Sequence, residues 1–222
     1  MSYFTNDFLN FFKELSANNN REWFKENKKR YEAAVKEPFH KFIVDVIDSV
    51  HGQDTSVMIT AKDAIFRIYR DVRFSKDKSP YKNHCSAVVS PGGRKDKTNP
   101  GLYLQINHEA LKIFGGVYYC DKDQLRNIRS EIAANPKAFE KVLNDKAFVE
   151  KYGGLHGETN KRLPSEFVGP AQSQPLIFNK QFYYFADLPA ETLLDEHLLD
   201  TVMTYYNAGK PMKNFLSTAL HG

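Results

Sequence analysis

Residues 84–119 read HCSAVVSPGGRKDKTNPGLYLQINHEALKIFGGVYY, and this stretch decides the fold class. Three runs rich in β-branched, aromatic and aliphatic residues, at 84–90, 101–107 and 111–119, are typical of β-strands. Short connections between strands favour antiparallel pairing. The stretch therefore predicts the middle of a mainly antiparallel sheet.

Further strand-like runs lie at 56–61, 64–70 and 181–188. Together with the three central runs they predict a sheet of about five to six strands. Helical patterns flank these runs on both sides. Thr5 or Asn6 is placed to cap an N-terminal helix, and residues 39–50 carry an apolar stripe with helical spacing.

The second half of the chain is mainly helical. Asp121 is placed to cap a central helix. We expect a C-terminal helix over 191–207, ended by Gly209, and a separate short helix opened by Pro211. Helices, then strands, then mostly helices is the order of an α+β fold, which we expect as a single domain over residues 1–222.

The composition is that of a soluble globular protein, because 41% of the 222 residues are hydrophobic and 26% are charged. No stretch approaches the ~20 apolar residues that cross a bilayer, and the N-terminus lacks a basic leader with a cleavage site. We therefore expect a cytoplasmic protein with no membrane partner. Cys85 and Cys120 are the only cysteines, which predicts reduced thiols and neither a disulfide scaffold nor a zinc cluster.

Residues 67–82, which read RIYRDVRFSKDKSPYK, are named here the basic segment. They hold six basic side chains and two carboxylates, and the resulting net charge of +4 equals that of the whole chain. Such a local positive field attracts phosphates, carboxylates or acidic protein surfaces. The segment therefore predicts a site for an anionic partner.

The start of the basic segment is predicted to be a strand from Ile65 to Phe74, followed by a turn. Alternation then places Arg67 and Arg73 on one face, while Arg70 falls among apolar neighbours. Arg70 needs either a carboxylate elsewhere in the fold or a bend of the strand near Asp71. We favour the bend, because the residues that follow are too polar to continue a buried strand.

The candidate ligand-binding residues share charge or hydrogen-bonding capacity within this one segment; they are Arg67, Arg70, Asp71, Arg73, Asp77, Lys78, Tyr81 and Lys82. The candidates for a catalytic role are Asp71 and His84, since a histidine directly after the turn is placed to act as a general base. The alternative is that the segment is a structural ion-pair network and that Tyr81 anchors the turn in the core.

The connection from Pro91 to Gly101 is long and rich in glycine and proline, and it carries Arg94, Lys95 and Lys97. It is either a lid over the basic segment or a solvated hairpin loop. The common nucleotide-binding, metalloprotease and serine-hydrolase motifs are absent, and the seven histidines are dispersed. We therefore expect no metal and no cofactor.

The run R-x-x-R-D-x-R-F followed by D-K and P-Y-K in the basic segment resembles the signature of a bacterial and fungal family, domain of unknown function 2461. The opening FLNFFKELSANNNREWFKENKKRY, the GLYLQI run, the glycine pair at 115–116 and the stretch at 161–164 are similar to that family too. The resemblance implies a single domain of about this length. The family has no established activity, so it implies no catalytic roles.

The leading hypothesis is that the chain binds a phosphorylated or other anionic ligand through the basic segment, with hydrolase or transferase chemistry left open. A second hypothesis is a nucleic-acid binding or processing module that uses the basic turn, Tyr81 and the loop at 91–101. A third is a non-enzymatic interaction protein. The sequence indicates no oligomeric state.

Overall fold

A computed structural model describes residues 2–96 and 99–221. The chain forms two compact units, each assembled from separate stretches of sequence. The first unit contains Met1–Lys95, Tyr103–Ile113 and Asp187–Met203. The second unit contains Asp96–Leu102, Phe114–Ala186 and Thr204–Gly222. The single domain over residues 1–222 stays a prediction.

The described residues contain one antiparallel sheet of four strands in sequential order. These strands are β1 (Cys85–Val89), β2 (Leu102–Ile106), β3 (Ala110–Val117) and β4 (Phe182–Pro189). In β2 and β3 every second residue is buried, which is the alternation expected of a sheet with one covered face. The α+β class is thus confirmed, but the prediction of five to six strands is corrected to four.

Two predicted strands are missing from the described sheet. The run at 56–61 leads into a short helix, Ala61–Ala64, because Thr60 and Asp63 form a reciprocal capping box that starts a helical turn. The run at 64–70 makes only isolated antiparallel bridges, from Ile65 to Ala87 and from Tyr69 to Tyr81. The predicted strand from Ile65 to Phe74 is therefore wrong, since regular pairing does not extend through it.

The N-terminal helices begin where the sequence predicts. Helix α1 (Asn6–Ala17) is capped by Thr5, whose hydroxyl accepts a hydrogen bond from the Asp7 amide. Helix α2 (Arg21–Glu26) is capped by the side chain of Asn20.

A longer helical stretch follows, made of α3 (Lys28–Tyr31), a π-helical segment (Glu32–Lys36) and α4 (Glu37–His51). The apolar stripe of α4 is buried, with Phe42, Ile43 and Val46 at the centre of the core. Helix α5 is the short Ala61–Ala64 turn.

The second unit contains α6 (Lys122–Ala134), α7 (Pro136–Leu143), α8 (Lys146–Tyr152), α9 (Ser165–Val168) and α10 (Pro170–Ser173). Asp121 caps α6 as predicted, and its carboxylate accepts a hydrogen bond from the Gln124 amide. Gly153 ends α8 with a positive φ of 73°, a conformation that glycine adopts without steric cost.

The C-terminal helix differs from the prediction. Helix α11 runs from Leu198 to His221 with Pro211 inside it, so there is no separate terminal helix. Residues 190–194 form a 3₁₀ turn before it. Gly209 does not end the helix but lies within it. The absence of a Cβ atom at this position leaves room for the ring of Tyr184. Across the described residues, no helix is long and apolar enough to span a membrane.

Candidate functional site

A cavity of about 790 Å³ lies within the first unit. Its volume falls in the range of small-molecule binding sites, roughly 300–1,000 Å³. The lining residues come from the helical stretch, from α5 and the segment after it, from the start of β1 and from the turn beyond β1. They are Tyr31, Lys36, Glu37, Phe39, His40, Ala61, Lys62, Ile65, Phe66, Arg67, Ile68, His84, Cys85, Arg94 and Lys95.

The cavity is strongly basic. Its described lining holds five cationic side chains and one carboxylate, a net charge of +4 with the histidines neutral; they are Lys36, Lys62, Arg67, Arg94 and Lys95 against Glu37. An apolar wall accompanies these charges, with Phe39, Ile65 and Phe66 as its larger members. Such a combination fits an anion that carries an apolar body.

Lys82 and Arg67 form a pair of like charges at the cavity. The backbone amide of Lys82 donates to the carbonyl oxygen of Ile68, so the two basic residues come from neighbouring, bridged stretches. The Lys82 ammonium lies 5.1 Å from the ring centroid of Phe66. Burial, followed by the charge of Arg67, lowers the pKa of Lys82. An anion placed between these two side chains would stabilise both charged forms.

His84 is half-buried and lines the cavity beside Lys82. Burial, and secondly the charge of Lys82, lowers the pKa of His84 to about 4. The imidazole is therefore neutral at pH 7 and has a nitrogen free to accept a proton. Burial also raises the pKa of the neighbouring Cys85 thiol, so this cysteine is a protonated part of the wall and not a thiolate nucleophile.

The π-helical segment brings two lining residues together. The Glu37 amide donates to the carbonyl oxygen of Glu32, five residues earlier, which is the hydrogen bond of a π-helix. In a regular α-helix, Tyr31 and Lys36 would point about 140° apart, because each residue turns the helix by about 100°. The wider π turn places both of them at the cavity. Segments of this kind are frequent at functional sites.

The predicted site residues from Arg70 to Lys78 lie outside the cavity lining. Arg70 pairs with Asp77 across the loop that follows it. Arg73 pairs with Asp71, with 2.7 Å between Nη2 and Oδ2, and the Lys78 ammonium donates to the carbonyl oxygen of Val72. These contacts within one loop correspond to the ion-pair network weighed as the alternative. The bend after Arg70 gives this arginine its carboxylate.

The carboxylates of this loop are held ionised by their neighbours. Hydrogen bonds from Arg73 lower the pKa of Asp71 to about 2. The hydroxyl and amide of Ser79, and then Arg70, lower the pKa of Asp77 as well. Asp71 is exposed and does not line the cavity, whereas the other candidate for catalysis, His84, does.

Tyr81 is buried and acts as an anchor between the basic segment and the N-terminal helices. Its ring stacks on Phe24, with centroids 3.9 Å apart and an angle of 12° between the ring planes. The amide side chain of Asn19 binds both backbone polar groups of Tyr81, at 3.1 Å to its nitrogen and 3.0 Å to its oxygen. This contact set gives Tyr81 a structural role.

Of the predicted ligand-binding residues, the structure brings Arg67 to the cavity and Lys82 beside it. Sequence reasoning missed Lys36, Lys62 and His40, which come from distant elements and form no local motif.

The sequence predicts that the loop with Arg94 and Lys95 is either a lid over the basic segment or a solvated hairpin loop. In the structure these two residues belong to a 3₁₀ turn, Gly93–Lys95, whose Gly93 packs against Asp63. Lys97 lies outside the described residues. Within residues 2–96 and 99–221, no three His, Cys, Asp or Glu side chains are grouped closely enough to hold a metal ion.

Comparison with known protein families gives a match over most of the chain. A family model described as "Conserved hypothetical protein (DUF2461)" matches residues 7–215 of the 222-residue chain. The matched range includes every residue that lines the cavity. It includes those of the helical stretch, which lies outside the basic segment. No curated protein matches the chain.

Proposed function

Because the chain belongs to the DUF2461 family, whose description names no activity, we propose its function from its own cavity. The proposal is that this cavity binds a small organic anion, with a phosphate or carboxylate held by Arg67 and Lys82. The observation that carries it is the excess of five cations over one carboxylate in the described lining. Arginine offers a bidentate fork to such anions and lysine a point charge.

The size of the cavity supports an organic anion over a free inorganic ion. About 790 Å³ is far more than one phosphate group fills, and ligand sites of this size bury most of a drug-sized molecule. The rings of Phe39 and Phe66 and the side chain of Ile65 would cover an apolar body. The ligand class is therefore a phosphate or carboxylate attached to an aromatic or aliphatic group.

His84 is the residue that we assign to proton transfer in hydrolase or transferase chemistry at this site. Its neutral imidazole is able to accept a proton, and an anion bound beside it would raise its low pKa towards the pH at which a general base works best. Asp71 is a poorer candidate, because hydrogen bonds from Arg73 occupy its carboxylate outside the cavity.

Isothermal titration calorimetry with phenyl phosphate, and with phenol as the uncharged control, tests the binding proposal. We expect saturable binding of phenyl phosphate and at least tenfold weaker binding by an Arg67→Met/Lys82→Met variant, since charged hydrogen bonds contribute about 1.5–3 kcal/mol each. Arg73→Met, which removes an arginine outside the cavity, should bind as the wild type does. Equal affinity of the wild type for phenyl phosphate and phenol would refute the proposal.

A second candidate function, binding of single-stranded nucleic acid, is favoured by the loop at 71–80. Phe74 is 96% exposed, and the Arg73 guanidinium carbon lies 5.8 Å from its ring centroid. An exposed aromatic ring in a loop that also carries Lys76 and Lys78 is suited to stacking on a base. Fluorescence anisotropy of a labelled oligonucleotide should then show affinity that falls steeply with salt and is lost in Phe74→Ala. A flat salt dependence would eliminate this function.

We also propose that the protein works in the cytoplasm. Both Cys85 and Cys120 are free thiols, and cytosolic reductants keep thiols in that state. Immunoblotting of fractionated cells tests the location, and recovery outside the cytosolic fraction would contradict it.

A further inference from the structure

The guanidinium of Arg94 carries an unsatisfied donor at the cavity. Its Nη1 atom is buried and has no hydrogen-bond partner in the described part of the chain. The hydroxyl of Ser90, four residues earlier, is likewise buried without a partner among the described residues. Buried polar atoms in native proteins are nearly always paired, so the Arg94 guanidinium is short of hydrogen-bond acceptors. Because Arg94 also lines the cavity, an anion bound there would supply acceptors to this guanidinium.

The turn that carries Arg94 is held in place. The Gly93 amide donates to the carbonyl oxygen of Ser90 at 3.0 Å, and Gly93 has a positive φ of 60°. A Cβ atom at position 93 would lie 2.7 Å from the backbone oxygen of Asp63. This close contact fixes the turn against α5 and thereby fixes the direction from which Arg94 approaches the cavity.

Asp63, an acidic side chain on which the charge of Arg94 acts, has its hydrogen bonds elsewhere. The Asp63 carboxylate accepts hydrogen bonds from the Thr60 amide at 3.1 Å and from the Thr60 hydroxyl at 2.6 Å. Those bonds are the main cause of the lowered pKa of Asp63, and the charge of Arg94 contributes less. The capping box therefore occupies Asp63 and leaves the Arg94 charge available.

Arg94 and the Arg67–Lys82 pair come from opposite ends of β1. Lys82 precedes Cys85, where the strand begins, whereas Arg94 follows Val89, where it ends. A strand of this length spans roughly 15 Å, because each residue advances it by about 3.4 Å. Arg67, with Lys82 beside it, and Arg94 thus belong to different parts of the cavity lining.

We infer that the cavity has two anion subsites, one at Arg67 and Lys82 and one at Arg94, and that its ligand carries an anionic group at each end of an organic body. This inference rests on the proposed function and makes it more specific. The ligand class is an organic bisphosphate or another organic compound with an anionic group at each end. Lys62 and Lys95, which also line the cavity, belong to the Arg94 side of it through α5 and the 3₁₀ turn.

A series of straight-chain alkanediol bisphosphates with three to eight carbons, each compared with its alkyl monophosphate by calorimetry, tests the inference. We expect at least one bisphosphate to bind the wild type ten times more tightly than its monophosphate. Arg94→Met should remove this gain and leave the monophosphate affinity unchanged, which also reports that the variant is folded. Arg73→Met should keep the gain.

The outcomes separate the two proposals. If no bisphosphate exceeds its monophosphate by more than the twofold statistical factor of two equivalent ends, the second subsite does not exist, although the first stands. A gain that survives in Arg94→Met overturns the assignment of Arg94. If neither ligand type binds the wild type at all, the proposed function fails and this inference fails with it.

Discussion

Tyr184 and Gly209 are in direct contact in the second unit. The Tyr184 hydroxyl donates a hydrogen bond to the Gly209 carbonyl oxygen, with 3.0 Å between the two oxygen atoms. A Cβ atom at position 209 would lie 2.6 Å from the Tyr184 ring, and one at Gly115 would lie 2.4 Å from the same ring. Two glycines thus make room for one buried tyrosine.

Replacement of Gly209 by alanine should destabilise the protein despite the better helix propensity of alanine. Overpacking costs about 1–3 kcal/mol, which exceeds the ~1 kcal/mol that alanine contributes in a helix. Thermal denaturation should show a lower Tm. Gly169→Ala is the matched control, because its added Cβ would meet no described atom within 4 Å apart from those of its own chain neighbours and nearby helix backbone, and its φ of −64° suits alanine. If Gly209→Ala lowers the Tm by as much in a protein that already carries Tyr184→Leu, the steric explanation is contradicted.

Removal of the Lys82 charge should raise the pKa of His84. Burial and then Lys82 depress that pKa to about 4, so Lys82→Met removes the second cause and leaves the first. NMR titration of the His84 ring protons, assigned with His84→Gln, measures the change. The pKa should stay below 6.5, and Lys76→Met, which alters an exposed lysine outside the cavity, should leave it unchanged.

The stability of the wild type should fall as the pH drops from 6.5 to 4. The His84 pKa is about 4 in the folded protein and about 6.5 when unfolded, so the unfolded chain binds more protons in this window. The stabilisation is fully present above pH 6.5. Urea denaturation should show a loss of roughly 1–2 kcal/mol from this group between pH 7 and pH 5. His84→Gln should lack this pH-dependent loss of stability. If the free energy of unfolding of His84→Gln falls with pH as steeply as that of the wild type, a buried neutral imidazole at position 84 is contradicted.

Arg129 should be important for stability, although its hydrogen-bond partners among the described residues include no carboxylate. It is buried in the second unit, where Nε donates to the Ile177 carbonyl oxygen at 2.8 Å and Nη2 to that of Asn179 at 3.0 Å. Arg129→Met leaves both oxygens unpaired and should cost about 1–3 kcal/mol in urea denaturation. Arg126→Met, which removes an exposed arginine of the same helix, should cost well under 1 kcal/mol. Equal losses of stability in the two variants would contradict the stabilising role of the two Arg129 hydrogen bonds.

Deletion of Ala33 should convert the π-helical segment into regular α-helix without removing Tyr31 or Lys36 from the cavity. Four residues turn an α-helix by about 400°, so the two side chains would stay about 40° apart. Phenyl phosphate affinity should remain within about threefold of the wild-type value. Insertion of an alanine after Ala33 should instead weaken binding, because it turns the two faces apart. A folded deletion variant that cannot bind would mean that the π-helical backbone itself contacts the ligand.

Local signals predicted the helices well. Thr5 and Asp121 identify helix starts because the capping bond lies within three residues of sequence. The run at 64–70 was wrongly predicted to be a strand, because its residue types suit a strand. A strand also needs a neighbouring segment that pairs with it along its length. The run at 64–70 makes only isolated bridges.

The candidate site was predictable only in part. Arg67 stands out because charge is dense around it in the sequence. Lys36 and Arg94 are ordinary in their own surroundings and become neighbours of the same cavity only through packing. The helix break predicted at Pro211 is wrong for a similar reason. Local rules treat proline as a break, whereas the helix continues through Pro211 in the packed structure.

The bridge between Tyr69 and Tyr81, together with the Asn19 clamp on Tyr81, closes the base of the loop at 71–80. Both ends of the loop are fixed independently of what lies between them. Since loop-closure entropy changes by only about 0.6 kcal/mol for each doubling of length, a change in the length of this loop would not by itself loosen the residues at its two ends. Substitutions in the loop are therefore suitable controls for substitutions in the cavity.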